Sequence, residues 1–312
     1  MDGCETKKDP CRPAAYRLGD VIYRSQPWVY SVLQDTAPLA CYRCLRTPFS
    51  SDRSVQLQNK PPLRRCAQCK FAHYCSQQCQ KEDWTDRHQP ECKILSKLAR
   101  SSDQLSLDVL LILLKIIIRL KKEQIGDEIG ACSPPSARTF NQLMSHEDEL
   151  KGSPGVVMLY KAWKPYIAVL DKEGTVCQDL ASFVGLYGRF HTNGFSIADY
   201  FAGNIGKGLY LAPSIIDHSC DPNAVQFFVG KTMVVKAIRD IPSLEEVRIA
   251  YDSTFAVRQV RQAQLGRQYF FSCTCCFCAD PQLVTVSRFV TLPTFFFQIL
   301  PIPISLDVSI SH

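Results

Sequence analysis

The sequence lacks an apolar run long enough to cross a membrane. Its longest candidate, LSLDVLLILLKIIIRL at residues 105–120, is interrupted by Asp108, Lys115 and Arg119, whereas a spanning helix needs about 20 predominantly apolar residues. We therefore predict that this stretch is a buried helix, and we expect no membrane partner. The N-terminal stretch MDGCETKKDPCR has no apolar segment of the signal-peptide kind, which argues against secretion.

Internal repeats and a phosphate-binding glycine loop are absent as well. Gly206 and Gly208 in IGKGLY form a G-x-G in a strand-turn context, and such a pair alone does not indicate a nucleotide site. The composition, 46% apolar and 21% charged residues, is typical of a folded globular protein. A length of 312 residues suits two domains, or one domain with insertions.

Cysteine, by contrast, is abundant, with sixteen residues. In a chain without a secretion signal, clustered cysteines indicate metal binding more often than disulfides. Seven of them lie with a ligand-spaced His between residues 41 and 92, and four more crowd into residues 273–278. We therefore expect a zinc protein of a reducing compartment.

The first cluster pairs its ligands at short spacings. CYRC, RRCAQCKFAHYC, SQQC and RHQPEC give C-x2-C twice, then C-x3-C and H-x3-C. Eight soft ligands in pairs match the needs of two closed, tetrahedral structural zinc sites. His73 breaks the spacing, so we do not expect it to be a ligand. The candidate ligands are Cys41, Cys44, Cys66, Cys69, Cys75, Cys79, His88 and Cys92.

The region of the first cluster is also basic, with twelve Lys or Arg against five Asp or Glu between residues 41 and 100. A basic patch invites a nucleic-acid interpretation. Thiolates bound to two zinc ions would lower that charge, and the pattern lacks a finger with a groove-reading helix. DNA binding is therefore the weakest of the functional hypotheses.

The second cluster is SCTCCFC, in which Cys273, Cys275 and Cys278 form C-x-C-x2-C. Three thiolates leave a tetrahedral zinc one ligand short. Cys220 in IIDHSCDPNAVQ has three interpretations: a nucleophile assisted by His218, the missing ligand, or an ordinary turn thiol. No Cys–His pair oriented by Asp or Asn is evident. The ligand interpretation is favoured, which predicts a third zinc site.

The first cluster resembles the MYND zinc finger. The segment between Cys44 and Cys66 is longer than is usual in that family, and we interpret this polar, proline-containing stretch as a surface loop insertion. The resemblance implies interleaved metal sites. The implied ligand sets are Cys41, Cys44, Cys75 and Cys79 for one ion, and Cys66, Cys69, His88 and Cys92 for the other.

A MYND finger combined with the second cluster resembles the SMYD lysine methyltransferases, in which the finger is inserted in a SET domain. LGDVIYRSQPWVYSV, GFSI, GKGLYLAPSIIDHSCDPNA and VVKAIRDIPSLEEVRIAYDST follow in the family's order, and the resemblance covers roughly residues 17–280. It implies an α+β fold: a mostly β SET core, an inserted zinc finger, a helical insert and a Cys-rich post-SET zinc site. The expected segments are N-terminal SET strands at 1–40, the MYND finger at 41–92, a helical SET insert at 93–185, the core SET at 186–255, the post-SET zinc segment at 256–280 and a poorly structured tail at 281–312.

The resemblance also implies the cofactors and the site. S-adenosylmethionine and three zinc ions are the expected cofactors. Tyr251 in RIAYD matches the tyrosine whose hydroxyl lies near the transferring methyl, Tyr269 in RQYFF lines the lysine channel, and Phe195 in NGFSI lies at the cofactor and lysine pocket. An isolated tyrosine would by default be a core residue, but three matches in motif context favour the site. The implied cofactor-binding residues are His146, Asn193, Asp217, His218, Tyr251 and Phe271.

Three departures from the family bear on activity. The stretch ahead of the first strand, ETKKDPCRPAA, has no glycine pair where the family brings bare backbone to the cofactor. Asp217 stands where the family usually has Asn, and an ionised carboxylate only accepts hydrogen bonds and would repel the cofactor's carboxylate. Residues 281–312 show no helical periodicity, so we expect the usual C-terminal helical domain to be absent and the end to be truncated or mispredicted.

Two main hypotheses follow. The first is a protein-lysine methyltransferase that acts on histone tails or other lysine-bearing proteins. The second is a weak or inactive SET/MYND scaffold whose finger recruits proline-rich partners, with Gln80 and Trp84 as candidate groove residues. The missing glycines and Asp217 favour the scaffold hypothesis. The joint presence of Tyr251, Tyr269, Phe195 and Asn193 favours the methyltransferase hypothesis. In both cases we expect a cytoplasmic and nuclear monomer.

Overall fold

The structure is a computed structural model that describes residues 15–48, 62–98, 107–125, 138–200 and 202–279. Several features singled out in the sequence lie outside these residues. They are most of the glycine-poor stretch ahead of the first strand, most of the loop insertion between the first ligand pairs, and the tail at 281–312.

Within these ranges, ten short strands form four small sheets. The strands are β1 (Val21–Ser25), β2 (Val29–Val32), β3 (Arg64–Arg65), β4 (His73–Tyr74), β5 (Gly194–Asp199), β6 (Gly203–Leu209), β7 (Asp217–His218), β8 (Ala224–Val229), β9 (Thr232–Ala237) and β10 (Arg248–Ile249). One antiparallel sheet has the order β1-β9-β8 and another the order β2-β6-β5. β7 and β10 pair in parallel, and β3 and β4 form an antiparallel pair inside the predicted finger.

The helices lie mainly between the finger and the later strands. They are α1 (Gln77–Asp83), α2 (Gln89–Leu98), α3 (Leu107–Ile125), α4 (Glu147–Leu150), α5 (Pro154–Leu170), α6 (Leu180–Asn193), α7 (Arg258–Tyr269) and α8 (Cys276–Ala279). A π-helical turn, Trp84–His88, joins α1 to α2. This mixture of small sheets and helices confirms the α+β class. α2 and α6 run across the boundaries predicted at residues 92 and 185.

The G-x-G of IGKGLY lies inside β6, the central strand of its sheet. A Cβ atom at Gly206 would stand 2.6 Å from the carbonyl oxygen of Ser31 on β2, which is far inside van der Waals contact. Glycine at this position therefore allows β2 and β6 to approach each other. The structure thus gives Gly206 a packing role.

Helix α3 is the buried helix predicted from the apolar run. Residues 109–118 are all buried, Lys115 included, and the helix packs against β2, α5 and α6. Its apolar partners include Trp163 of α5 and Phe183 of α6. No helix among the described residues is long and apolar enough to span a bilayer.

Arg87, in the π-helical turn, joins the finger to the sheet that contains β2. Its guanidinium lies 3.8 Å from the ring centroid of Tyr30 and donates to the Tyr30 carbonyl at 3.2 Å. It also donates to the carbonyl of Tyr42 and pairs with the fully buried Asp83 at 2.5 Å. The cation–π contact and the hydrogen bond to Tyr30 hold the finger against the core, and the ion pair with Asp83 compensates the charge of Arg87 inside the finger.

Candidate functional site

Each of the three predicted ligand sets comes together in space. Within each set, the four ligand atoms lie within 4.8 Å of one another. The grouping matches the interleaved assignment, with the sets Cys41, Cys44, Cys75 and Cys79 (cluster one), Cys66, Cys69, His88 and Cys92 (cluster two), and Cys220, Cys273, Cys275 and Cys278 (cluster three). His73 lies outside these sets, and its Nδ1 is 2.8 Å from the carbonyl of Phe71.

The spacing of the sulfur atoms fits zinc. Two thiolates bound tetrahedrally to one zinc ion at about 2.3 Å stand about 3.8 Å apart. The Sγ–Sγ distances are 3.6 Å for Cys44–Cys75, 3.8 Å for Cys66–Cys92 and 3.9 Å for Cys220–Cys273. A disulfide would need about 2.05 Å. The donor sets are therefore of the right kind and spread to hold three structural zinc ions.

Tight turns and helix ends present the ligands of the finger. Cys41 begins a turn in which the Leu45 N–H donates to the Cys41 carbonyl at 2.8 Å, with Leu45 itself in the left-handed region at φ 57°. Ser76 caps α1 by accepting from the Cys79 N–H at 3.1 Å, which aims the first turn of the helix at the cluster. The π-helical turn ends at His88 and places its Nε2 3.6 Å from the sulfur of Cys69.

Cluster three is organised by helix α7. Gln262 brackets Cys273 with two hydrogen bonds, donating to its carbonyl at 2.7 Å and accepting from its N–H at 2.8 Å. The buried Arg261 points its Nε at the sulfur of Cys220, 3.4 Å away, and its Nη2 at that of Cys278, 3.6 Å away. A guanidinium beside several thiolates offsets their negative charge.

The surroundings of Cys220 distinguish between a nucleophile, a metal ligand and an ordinary turn thiol. Nδ1 of His218 accepts the Tyr251 N–H at 3.0 Å, so it carries no proton of its own. The other nitrogen, Nε2, is 3.2 Å from the Cys220 sulfur and is the one that holds the ring proton. His218 therefore stands as a donor to Cys220 and not as a base that activates it. The geometry favours Cys220 as a ligand of cluster three.

The predicted catalytic tyrosine lies in a cluster of rings. Tyr251 is 4.8 Å from Tyr269 and 6.5 Å from Phe271, measured between ring centroids, and His218 is 5.2 Å from Tyr251. These residues are all half-buried, so the rings are partly open to solvent. The Tyr251 hydroxyl donates to the carbonyl of Ile216 at 2.6 Å. Burial raises the pKa of Tyr251 to about 12, which keeps the phenol protonated at neutral pH.

His146 lies beside Phe270, which stands between Tyr269 and Phe271 in the sequence, and Asn193 bonds to the segment just before His146. The His146 ring is 4.7 Å from the ring of Phe270, which occupies the left-handed region at φ 59° at the end of α7. Both donors of the Asn193 amide are committed, to the carbonyls of Met144 and Arg189, each at 2.8 Å. His146 is therefore half-buried against an aromatic residue and is not fully exposed to solvent.

Asp217 has a basic partner that the sequence did not reveal. Arg248 is its direct register partner across the β7–β10 pair, and Nη2 of Arg248 lies 3.9 Å from a carboxylate oxygen of Asp217. The charges of Asp217 and Arg248 both act on the pKa of Tyr251, in opposite directions, which places them near its hydroxyl. The Asp217 side chain is 74% exposed and so is open to a ligand.

Phe195 lies on β5 and packs edge-on against Tyr210 at 5.9 Å. It belongs to the same apolar core as Tyr251, as a partly buried residue at its margin. The placement is compatible with the predicted pocket, and a catalytic role for Phe195 stays a prediction.

Sequence reasoning missed several residues of these sites. Glu91 and Lys115 support cluster two, Arg261 supports cluster three, and Arg248 accompanies Asp217. A signal was present for Lys115, because a cation in an otherwise apolar helix requires a buried partner. Arg248 and Arg261 follow no local pattern, since their partners lie 31 and 41 residues away.

Comparison with known proteins agrees with this geometry. The SET domain family model matches residues 53–252. The chain is 30% identical over 271 residues to the histone-lysine N-methyltransferase SMYD3 of Homo sapiens, which covers 84% of this chain and 56% of that protein. It is 27% identical over 267 residues to the histone-lysine N-methyltransferase ASHR1 of Arabidopsis thaliana, which covers 85% of this chain and 51% of that protein.

Another relative is the N-lysine methyltransferase SMYD2 of Homo sapiens, 24% identical over 271 residues, with 83% of this chain and 55% of that protein covered. The chain thus spans little more than half the length of these curated relatives. The match to the family model covers most of the described core. The chain belongs to the SET domain family and is similar to the SMYD members within it.

Proposed function

We propose that the protein is an S-adenosylmethionine-dependent protein-lysine methyltransferase, held in shape by three structural zinc ions. The half-buried ring cluster of Tyr251, Tyr269 and Phe271 is the observation that carries the proposal. Relatives named as lysine methyltransferases support it. The substrate would be a lysine of a histone tail or of another protein, in the cytoplasm or the nucleus.

In the proposed reaction the substrate would be a neutral lysine amine, which would give up its proton to solvent beforehand. Its lone pair would then accept the methyl group, and the electron pair of the broken C–S bond would stay with the cofactor. The bound cofactor would supply the methyl group, activated by a sulfonium charge. Little covalent work falls to the protein, and alignment with exclusion of water dominates.

The rings of Tyr251 and Tyr269 suit a lysine side chain. Aromatic faces attract a cation and also tolerate the apolar stem that carries it. The Tyr251 hydroxyl donates its hydrogen bond to the Ile216 carbonyl, so its oxygen lone pairs would be available to the site. A fixed oxygen of this kind would stabilise the positive charge of the reacting centre.

The residues implied for the cofactor fit it with defined atoms. Since both His218 nitrogens and both Asn193 donors are committed, contact would use the ring face or backbone of His218 and Oδ1 of Asn193. Asp217 would accept from the ammonium of the cofactor's amino-acid end. Arg248 beside it would offset the repulsion between Asp217 and the carboxylate of that end. Phe271 and His146 would supply apolar walls.

A scaffold role is the second candidate, favoured by one observation on the finger. Trp84 is 37% exposed and is held from one side by His88, whose ring is 5.8 Å away. An anchored, exposed tryptophan is suited to proline-rich peptides, which dock on aromatic surfaces. Gln80 precedes it by one helical turn in α1. Under this proposal the protein would bind such peptides without methylating them.

Calorimetric binding of S-adenosylmethionine to the zinc-loaded chain decides between the two. Micromolar binding supports the methyltransferase and directs the search to substrates. Absence of binding at millimolar cofactor overturns it and leaves the finger as the working part, to be tested with proline-rich peptides. Metal analysis of the same sample should find three zinc ions per chain, and fewer than two would contradict the assignment of the finger.

A further inference from the structure

A buried chain of polar side chains runs from helix α3 to cluster two. Lys115 of α3 places its Nζ 2.8 Å from each carboxylate oxygen of Glu91. Oε1 of Glu91 is 3.2 Å from Nδ1 of His88. Nε2 of His88 faces the cluster, 3.6 Å from the sulfur of Cys69. The side chains of Lys115, Glu91 and His88 are almost fully buried, with 3%, 0% and 1% of their surface exposed, respectively.

This series of contacts assigns a role to each nitrogen of His88 and to the carboxylate of Glu91. A zinc ion bound through Nε2 of His88 requires the ring proton on Nδ1, which then donates to Glu91. Glu91 must be ionised to accept this hydrogen bond and to pair with Lys115. A hydrogen bond of this kind fixes the orientation of a metal-binding imidazole and raises its basicity.

Charge explains why Lys115 is required. Zinc with three thiolates and one neutral imidazole carries a net negative charge, and Glu91 adds another negative charge beside it. Within a buried site such an excess is costly unless a cation is present. The ammonium of Lys115 supplies that cation, and it also lies 4.5 Å from the ring centroid of Tyr42, a residue of the finger.

Lys115 comes from outside the finger. It is 24 residues beyond Glu91, on a helix that packs against β2 of the core. Clusters one and three lack an imidazole in their ligand sets, so among the described residues this arrangement belongs to cluster two. Docking of α3 therefore completes the surroundings of one particular metal site.

We propose that Lys115 is a positioning residue for the zinc ion of cluster two, acting through Glu91 on His88, so that retention of this ion depends on the docking of α3. The proposal rests on the zinc occupancy proposed above. It couples the helical insert to the finger: loss of this zinc loosens α3, and displacement of α3 releases this zinc before the others.

The test is zinc release from the full, zinc-loaded chain to a chromophoric chelator. We expect Lys115→Met, which keeps the unbranched shape and most of the length of the side chain but removes the charge, to release one ion of three about 10–100-fold faster than the wild type. Glu91→Gln keeps the volume of the side chain and removes its charge, and it should accelerate the release of the same ion. Lys115→Arg restores the cation and should return the rate to near that of the wild type. The other two ions should leave at the wild-type rate in every variant.

Asp171→Asn is the matched control. Asp171 contacts the same helix through Lys121, whose Nζ lies 3.5 Å from its carboxylate, about 9 Å along the axis from Lys115. This variant should free Lys121 at the far end of α3 but leave Lys115 in place beside Glu91, so zinc release should stay unchanged. With cobalt in place of zinc, Glu91→Gln should shift the absorption of the one site that has a nitrogen ligand.

The outcomes separate the two proposals. A wild-type chain that holds three zinc ions, together with a folded Lys115→Met that releases all of them at the wild-type rate, overturns the role of Lys115. Uniform acceleration of all three ions in Lys115→Met and Asp171→Asn alike assigns Lys115 to general stability and also overturns it. A folded wild-type chain without zinc overturns the zinc assignment itself.

Discussion

The backbone N–H of Tyr251 donates to Nδ1 of His218 across 3.0 Å. This bond connects the candidate catalytic tyrosine to the segment that carries Cys220, because the other nitrogen of His218 faces the Cys220 sulfur. The hydroxyl of Tyr251 reaches the same segment at the carbonyl of Ile216. Cluster three and the ring cluster are therefore parts of one hydrogen-bonded unit, so we expect that disrupting the ligands of cluster three will also disturb the ring cluster.

Cys220→Ser should remove the zinc ion of cluster three. A serine oxygen is a poorer zinc ligand than a thiolate, and three remaining cysteines leave the ion with an open position. We expect the metal content to fall by one zinc per chain and cofactor binding to weaken at least tenfold, as His218 and Phe271 lose their support. The measurement is metal analysis paired with calorimetry.

Cys276→Ser is the control for this change, because Cys276 lies next to the cluster but outside its four-residue set. It should keep all three ions. Retention of three zinc ions by Cys220→Ser would contradict the ligand role of Cys220.

Tyr251→Phe should lower methyl transfer by about 100-fold or more, since it removes a fixed oxygen from the reacting centre. The fold should survive, with a loss of about 1 kcal/mol from the missing hydrogen bond to Ile216. The measurement is single-turnover transfer to a peptide or protein substrate, combined with thermal unfolding.

Tyr30→Phe provides the comparison. It also removes a buried hydroxyl that donates to a backbone carbonyl, but this carbonyl, that of Arg43, belongs to the finger. Similar stability losses with activity lost only in Tyr251→Phe are expected. Equal activities in both variants would exclude a catalytic role for the Tyr251 hydroxyl.

Asp217 and Arg248 should behave as a coupled pair toward the cofactor. Arg248→Ala leaves the carboxylate uncompensated, so we expect binding of S-adenosylmethionine to weaken about tenfold, or about 1.4 kcal/mol. Asp217→Asn in the same chain should restore most of that loss, because a neutral amide no longer repels the cofactor's carboxylate.

A double-mutant cycle by calorimetry measures the coupling. The interaction is partly exposed, so the effect should shrink as salt is raised from low to physiological concentration. Additive effects of the two changes would show that Arg248 does not compensate Asp217.

Asp171 should be a strong contributor to stability, with a defined pH dependence. Burial alone would raise the pKa of Asp171, but the backbone N–H groups of Cys177, Val176 and Thr175 donate to its carboxylate and lower it. Because the folded pKa lies below the unfolded one, the stabilisation is present above about pH 4 and is lost as the pH falls further.

Asp171→Asn should therefore lower the free energy of unfolding by roughly 2 kcal/mol at neutral pH, since an amide cannot accept all of these bonds. Denaturant unfolding at pH 7 and at pH 3 measures it, and the difference between wild type and variant should be smaller at pH 3. A difference independent of pH would contradict the role of the charge.

Paired spacing predicted the eight candidate ligands of the finger, because C-x2-C, C-x3-C and H-x3-C each bring two ligands together within a turn. Which pairs combine was implied by the resemblance to the MYND finger, and the structure groups the ligand atoms in the same two sets. The apolar run around Leu113 likewise predicted the buried helix α3, because helical periodicity and burial are both local signals. The family resemblance also singled out Tyr251, Tyr269 and Phe271 as candidate site residues, and the fold brings these three rings into one cluster, while their roles stay predictions.

Other features of the sites could not be read from any local pattern. Lys115 and Glu91 meet because α3 docks against the finger, and Arg248 meets Asp217 because β7 and β10 pair in parallel. The sequence by itself indicated the candidate metal ligands, since these depend on residue type at short spacing, and the family resemblance of its motifs implied the order of the elements and the candidate aromatic residues. The tertiary structure alone decided which charges compensate one another and which nitrogen of His88 faces the ligand cysteines, because those depend on distances between segments far apart in the chain.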